Sequence, residues 1–406
     1  ERFDGHDFVP AARDNGASGA LVGRILDDPL PQIVVSDPKT ALIRLARWQR
    51  ERFPGPVVAI TGSNGKTTVK EMTRAILATT GPTLATIGNL NNEIGVPLTL
   101  SHLEPGQHRA AVIEIGANHP GEVAHLAAWV CPTVAVVNNA GPAHLEGFGS
   151  VTGVARAKGE IYGALAENGV AVINADDPHA WMWRELAAHR QIIDFALEKS
   201  RAAVTAQILS PLGAPTGVRI ELETPLGAAE LTIPLPGRHN VMNALAASAA
   251  ALGAGVDLEA IVAGLSSVAG VAGRLRPVGG RGGARLIDDT YNANPASLRA
   301  ALEVLAAQPG IRCLVLGDMA ELGAGATQFH AEIGALARQL GIEVLLGCGN
   351  STPAAVAAFG AGAESYTQIA ALCTALIPRL NSEWTVLVKG SRSAGMERAV
   401  RFLAEN

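Results

Sequence analysis

The chain has 406 residues, 48% of them hydrophobic and only 4% aromatic, with a formal net charge of -5 and a pI near 6.1. That length exceeds what one hydrophobic core organises and predicts two or three domains. The acidic balance argues against a nucleic-acid surface, which needs a clustered basic excess, and leaves small molecules as the expected partners.

The longest apolar run, Ala244 to Val256, is interrupted by Ser248 and is too short to span a bilayer, so it reads as a buried helix and no membrane insertion is expected. The opening residues Glu1-Arg-Phe-Asp-Gly-His6 have neither a basic region nor an apolar stretch, and no signal peptide is expected. Cys131, Cys313, Cys348 and Cys373 form no C-x-x-C pair. They predict reduced, buried thiols in a cytoplasmic protein, not metal ligands.

Residues 1 to 54 read as a small α/β piece: a helix near Val9–Asn15, strands at Ala20–Val22 and Gln32–Val35, and a helix from Lys39 to Phe53. It looks like the remainder of a longer first domain. The turn Phe53-Pro-Gly-Pro56 cannot continue a helix and marks a boundary. From there to residue 270, strands at Val57–Thr61, Ala111–Ile115, Val134–Asn138 and Val170–Asn174 alternate with helices, the grammar of a parallel sheet. Hairpin-like strands at Val204–Leu209, Val218–Glu223 and Ala229–Ile233 follow, then an alanine-rich helix opening at Gly237. The small-residue stretch Val268 to Gly273 is a second boundary. Over 271 to 406 the alternation resumes, with strands at Arg285–Asp288, Cys313–Leu316, Glu343–Leu346 and Thr385–Val388. Helices at Ser297–Ala307, Phe329–Leu340 and Gly395–Leu403 complete a Rossmann-like pattern. No G-x-G-x-x-G follows its first strand, so a dinucleotide is not indicated.

The chemistry centres on Val57 to Thr68, where a β-branched strand runs into Gly62-Ser63-Asn64-Gly65-Lys66-Thr67-Thr68 and then a helix. Backbone N–H groups freed by Gly62 and Gly65 can face phosphate oxygens, Lys66 can reach the terminal phosphates, and the Thr67 hydroxyl can join Mg²⁺. The full P-loop pattern wants a glycine where Ile60 stands, so an ordinary strand–turn–helix corner remains open for this stretch alone. Three further residues have strand-end or loop addresses nearby. Glu114 ends its strand and reads as a metal ligand or a solvated terminus. His144 sits in the loop Ala140 to Gly149 as a ligand or a hydrogen-bonded structural histidine, and Lys158 reads most simply as a surface helical lysine.

Gly62-Ser-Asn-Gly-Lys-Thr-Thr68, Gly88-Asn-Leu-Asn-Asn-Glu-Ile-Gly-Val-Pro97, Ile113-Glu-Ile-Gly-Ala-Asn-His119 and Ala143-His-Leu-Glu-Gly-Phe-Gly149 resemble, in order, motifs of the Mur ligases. So do Ala155-Arg-Ala-Lys-Gly-Glu160, Gly237-Arg-His-Asn240, Asp288-Asp-Thr-Tyr-Asn-Ala-Asn-Pro295, Leu316-Gly-Asp-Met-Ala-Glu-Leu-Gly323 and Val388-Lys-Gly-Ser-Arg-Ser393. Within that family the Tyr291 to Pro295 and Leu316 to Gly323 segments resemble members that add D-alanyl-D-alanine to UDP-N-acetylmuramoyl-tripeptide. The resemblance implies an α/β, three-domain architecture: a partial N-terminal domain for the uridine-nucleotide substrate (1–54), a central P-loop ATPase domain with a parallel sheet (55–270), and a C-terminal Rossmann-like domain (271–406).

It also implies roles. Lys66 would bind the β/γ-phosphates, Thr67 and Glu114 one Mg²⁺, and His144 a second. Lys158 matches the family's carbamylated lysine, an anionic oxygen ligand made with CO₂ where an ammonium would be repelled by two metals. Asn240 and Asn243 match adenine-side residues, with helix capping open beside that reading. Arg274 matches the arginine that reaches the γ-phosphate and Asp289 the ribose ligand, while Tyr291 and Asn294 would line the closed cleft. Asn92 and Asn118 are further substrate-side candidates. Lys389 and Arg392 could meet an acceptor carboxylate, or form a solvated basic loop. The chain departs from the family in lacking most of the opening segment that holds the uridine end. The expected enzyme is a monomer using ATP, two Mg²⁺ and CO₂. A related ligase joining a single amino acid, or a glutamate to folate, stays open on sequence, as does a non-catalytic ATP-dependent module.

Overall fold

The computed structural model describes residues 4–143, 145–199, 201–212 and 217–405. Its strands are β1 (Ala20–Val22), β2 (Gln32–Val34), β3 (Val57–Thr61), β4 (Thr83–Ala85), β5 (Ala110–Glu114), β6 (Val134–Val137), β7 (Val170–Asn174) and β8 (Gln191–Phe195). There follow β9 (Thr205–Ile208), β10 (Val218–Thr224), β11 (Gly227–Ile233), β12 (Arg276–Gly279), β13 (Arg285–Asp289), β14 (Ile311–Gly317), β15 (Val344–Cys348), β16 (Ala363–Tyr366) and β17 (Trp384–Lys389). They form a parallel pair β1-β2, a central six-stranded sheet β4-β5-β3-β6-β7-β8, an antiparallel β11-β10-β9, and a second six-stranded sheet β12-β13-β17-β14-β15-β16.

The central sheet is parallel throughout, and β3 lies between β5 and β6 with Ile60 opposite Glu114 and Thr61 opposite Val137. All five residues of β3 are buried because both faces are covered. Val58 and Ile60 pack with Val69, Met72 and Ile76 of the helix Lys66–Ala78 and with the alanine-rich helix Arg238–Gly253. Val57 and Ala59 face the opposite core with Ile113, Val137 and Val154. Each large aliphatic side chain so buried contributes about 1.5–3 kcal/mol, against about 1 kcal/mol for an average hydrogen bond. Packing therefore fixes where β3 ends, and hydrogen bonds shape only the loop beyond it.

The helix Pro38–Arg52, capped by the Asp37 carboxylate, packs Ala46 and the following Phe53 into the central core. Arg50 donates to the carbonyls of Val130 and Cys131 at 2.8 and 2.7 Å. In the second sheet β13, β17, β14, β15 and β16 are parallel and β12 is an antiparallel edge strand. Its entry is held by adjacent carboxylates: Asp288 Oδ2 accepts the Gly273 N–H at 3.1 Å and Asp289 Oδ1 the Leu275 N–H at 3.2 Å. Leu275 has a left-handed φ of 50°, a conformation that costs a residue with a Cβ about 1–2 kcal/mol. Its side chain is 4% exposed, and burial worth about 1.5–3 kcal/mol offsets that strain.

All four cysteines are free; Cys313, Cys348 and Cys373 are buried, as expected, but Cys131 is exposed. It ends the helix Glu122–Val130 at the surface with a left-handed φ of 41°. Among the described residues no helix is long and apolar enough to cross a membrane.

Candidate active site

The phosphate loop joins β3 to the helix Lys66–Ala78. Gly65 has φ of 80°, and a Cβ there would lie 2.4 Å from Asn243 Oδ1 and 2.6 Å from Asn138 Nδ2, so only glycine fits. Asn139 grips the loop: its carbonyl accepts the Ser63 N–H at 3.0 Å, its Oδ1 accepts the Asn64 N–H at 2.9 Å, and its Nδ2 donates to the Asn64 carbonyl at 3.1 Å. The N–H groups of Ser63 and Asn64 thus face Asn139. The donors free to receive an anion are those of the helix terminus, where the first helical bond runs from Val69 N–H to the Gly65 carbonyl at 2.8 Å and the preceding amides lack helical partners. Lys66 Nζ, half-buried, donates to the Gly62 carbonyl at 2.8 Å. Burial pushes its pKa down, opposed by the Glu114 carboxylate and reinforced by Arg274.

Thr67 joins both halves of the molecule. Its hydroxyl donates to Glu114 Oε2 at 2.9 Å and accepts from the Arg274 guanidinium at 2.8 Å. Glu114 is 2% exposed and its other oxygen accepts from Asn91 Nδ2 at 2.8 Å, which excludes a solvated strand terminus. A hydroxyl and a carboxylate converging beside a phosphate site are the oxygen donors a hard cation takes, so Thr67 and Glu114 fit Mg²⁺. Among the described residues no three His, Cys, Asp or Glu side chains cluster as a metal site. Mg²⁺ ordinarily completes its shell with substrate phosphates and water, so an all-protein cage is not required.

Lys158 is 2% exposed, not a surface residue. Its Nζ lies 3.4 Å from the Ala117 carbonyl and 5.4 Å from the Phe148 ring centroid, and it has no carboxylate partner within salt-bridge distance among the described residues. Burial, with the nearby Lys66 charge, lowers its pKa to about 7, which gives a substantial neutral amine fraction near neutrality. His144 lies outside the described residues.

Asn240 and Asn243 are buried on the first turns of the alanine-rich helix. Gly237 is its N-cap and no side chain caps it, so the capping alternative falls. Asn243 Nδ2 donates to Asn240 Oδ1 at 3.2 Å, and Asn240 Nδ2 to the Pro236 carbonyl at 2.8 Å. His239 beside them is held neutral, burial pushing its pKa down to about 4.

From the C-terminal side, the Arg274 guanidinium stacks on the Tyr291 ring at 4.3 Å, and that of the exposed Arg392 lies over the same ring at 5.9 Å. Arg274 Nε is buried without a hydrogen-bond partner. Asn294 caps the helix Pro295–Ala306 in a capping box with Ser297, and its Nδ2 reaches Asn64 Oδ1 of the phosphate loop at 2.7 Å. Lys389 is 2% exposed and donates to Asp289 Oδ2 at 2.6 Å and to the Asn292 carbonyl at 2.9 Å. It is a buried ion pair, not part of a solvated loop. Losing one member of such a pair costs about 3–5 kcal/mol.

A cleft of about 1080 Å³ gathers most of these groups. Ser63, Asn64, Gly65, Lys66, Thr67, Thr68 and Glu114 line it, as do Asn240 and Asn243 of the alanine-rich helix. Arg274, Asp289, Tyr291, Asn294, Lys389 and Arg392 form the facing wall, and Asn92 and Asn118 lie at an exposed end. Gly62 and Lys158 do not line it, although Ala117, whose carbonyl Lys158 approaches, does. Sequence reasoning overlooked Asn91, Asn138 and Asn139. The last two directly follow β6, and the strand-end rule that singled out Glu114 would have found them.

A parallel-sheet phosphate loop facing a second α/β sheet across a polar cleft defines a nucleotide-dependent transferase or ligase site. Residues 60–251 match the family model of the Mur ligase middle domain and residues 273–392 that of the Mur ligase glutamate ligase domain. The UDP-N-acetylmuramoyl-tripeptide–D-alanyl-D-alanine ligase of Escherichia coli is 47% identical over 408 residues, spanning 100% of this chain and 89% of the relative. A crystal structure of MurF from Acinetobacter baumannii superposes with a TM-score of 0.90 at 40% identity, covering 99% of this chain and 88% of that one. MurF ligase from Thermotoga maritima in complex with ADP gives 0.84 at 29% identity, covering 99% and 92%. The chain belongs to the Mur ligase family.

Proposed function

We propose that this protein is the ATP-dependent ligase that joins D-alanyl-D-alanine to UDP-N-acetylmuramoyl-tripeptide in peptidoglycan precursor synthesis. The observation that carries the reading is the contact of Arg274 with Thr67, which brings a guanidinium from the C-terminal side onto the phosphate loop. The buried, unpartnered Arg274 Nε is suited to an anion arriving there.

A carboxylate cannot expel oxide when an amine attacks, so the substrate carboxylate first takes the γ-phosphoryl group of ATP and ADP leaves. The dipeptide amine then attacks the acyl carbon, loses its proton, and phosphate departs as the amide forms. The protein supplies position and charge compensation, with no protein nucleophile. The helix terminus at Gly65 to Thr68 receives phosphate oxygens. Lys66 exchanges its carbonyl partner for the β/γ-phosphates, and Arg274 meets the transferring group from the other side. Mg²⁺ held by Thr67 and Glu114 would neutralise phosphate charge. Asp289 would take the ribose, and Asn240 and Asn243 the adenine edge.

Lys158 is proposed to carry CO₂ as a carbamate and, with His144, to serve a second Mg²⁺. What supports this is a buried amine with no carboxylate partner among the described residues, beside the carbonyl of Ala117, which lines the cleft that holds Thr67 and Glu114. We divide the chain into domains at residues 54 and 270, and on this reading the enzyme is a cytoplasmic monomer. Asn92, Asn118, Tyr291, Asn294 and Arg392 are assigned to the peptide substrates.

The test is phosphate release with ATP and UDP-N-acetylmuramoyl-tripeptide. Release that D-alanyl-D-alanine stimulates and single amino acids do not is the expected result. Equal stimulation by a single amino acid would overturn the assignment.

A further inference from the structure

Asn138 follows β6, is 2% exposed, and lines the cleft. Its Nδ2 donates to the Asn64 carbonyl in the phosphate loop at 2.9 Å and to Asn243 Oδ1 on the alanine-rich helix at 3.0 Å. Asn243 passes a donor to Asn240, and Asn240 passes one to the Pro236 carbonyl. The relay has one possible sense. Both terminal groups are carbonyls, which only accept, so every amide must turn its nitrogen in the direction found here. Asn138 is the junction from which the relay runs both ways, and the two hydrogens of its single nitrogen serve both arms. Reversed, its oxygen would face two acceptors. The Asn138 carbonyl in turn accepts from Asn174 Nδ2 at 2.9 Å, which ties the junction to β7. Gly65, whose missing Cβ would collide with both Asn138 and Asn243, leaves the room in which the amides meet.

We infer that Asn138 is a positioning residue that holds the phosphate loop and the base-side helix in one register, so that phosphate and adenine contacts are set together. The inference rests on the reading of this cleft as a nucleotide site. It predicts that Asn138 governs nucleotide affinity through Asn243. Removing the junction leaves the buried Asn243 Oδ1 without its donor and the Asn64 carbonyl with Asn139 Nδ2 alone, and a loss of that kind weakens binding by about ten-fold.

The experiment is a double-mutant cycle on ADP affinity measured by calorimetry with Asn138→Ala, Asn243→Ala and the double variant of the full chain. Each single variant is expected to bind ADP about ten-fold more weakly, and the double variant no more than about three-fold below the weaker single one. A double variant that reaches the product of the two single losses overturns the inference. So does an Asn138→Ala affinity within about two-fold of wild type. Generalised destabilisation would not produce this coupling. Should Asn138→Ala fail to fold, Asn138→Ser replaces it in the cycle: its one hydroxyl hydrogen cannot serve two acceptors, and the same non-additivity is required. ADP binding is independent of which acceptor is ligated, so failure here and failure of the ligase assignment are separable.

Discussion

At the central sheet, the groups facing the cleft are held by backbone and by one another. Asn139 fixes the loop, Asn91 and Thr67 hold Glu114, and Lys66 rests on the Gly62 carbonyl. At the C-terminal sheet the corresponding groups are cations mounted on an aromatic ring or paired with a carboxylate: Arg274 and Arg392 over Tyr291, and Lys389 against Asp289. One wall supplies oxygen ligands, amide donors and Lys66 in a hydrogen-bonded frame, and the other supplies further positive charge. Among the described residues, side-chain hydrogen bonds join these walls from Arg274 to Thr67 and from Asn294 to Asn64. Polar side-chain links of this kind can be exchanged for contacts to a nucleotide, as a site completed by closure requires.

The largest expected effect falls on the central-sheet side, behind the cleft wall. Lys158→Ala should lower ligation by at least about 10²-fold while ADP still binds, and a small carboxylic acid should restore part of the rate. Full activity of the untreated variant would remove the carbamate assignment. A smaller effect is a pH dependence of stability. In CO₂-free solution the folded Lys158, with its pKa near 7, is deprotonated across a range where the unfolded lysine still holds its proton. Stability should therefore rise as pH climbs from about 7 towards the ordinary lysine range, by on the order of a few kcal/mol, and the penalty of the buried charge should be full below pH 7. Denaturant titrations of Lys158→Met should show a flatter profile; an identical profile would mean that the buried amine is not the titrating group. The smallest effect is on the C-terminal wall: Tyr291→Leu should reduce turnover by about ten-fold and Tyr291→Phe by no more than about three-fold, because the stacking face is what holds the arginines. Equal losses in the two variants would point to the hydroxyl instead.

The same contrast governs what could be read from the sequence. Every interior strand of both six-stranded sheets was legible, because burial on two faces demands continuous β-branched or aliphatic runs such as Val57–Thr61 and Trp384–Lys389. The four edge strands, β4, β8, β12 and β16, were not. Thr83–Ala85, Gln191–Phe195, Arg276–Gly279 and Ala363–Tyr366 are partly exposed, and polar residues or a proline break their apolar pattern. In the site, Lys66 and Thr67 were legible because the spacing of a phosphate loop carries chemistry by itself, Glu114 from its place at a strand end, and Arg274 through the family resemblance alone. The burial of Lys158 and the pairing of Lys389 with Asp289 were hidden, since both depend on what a distant segment places around the amine. The asparagine relay was hidden for the same reason: its members are 74 and 105 residues apart along the chain.

The joint construction of the site by the two walls is tested most directly by Arg274→Ala, with ADP affinity and steady-state turnover measured on the same preparation. The account predicts ADP affinity within about ten-fold of wild type and turnover lower by about 10²–10³-fold, because the central wall still binds nucleotide while the transferring phosphoryl group loses its second cation. Turnover equal to wild type would contradict it.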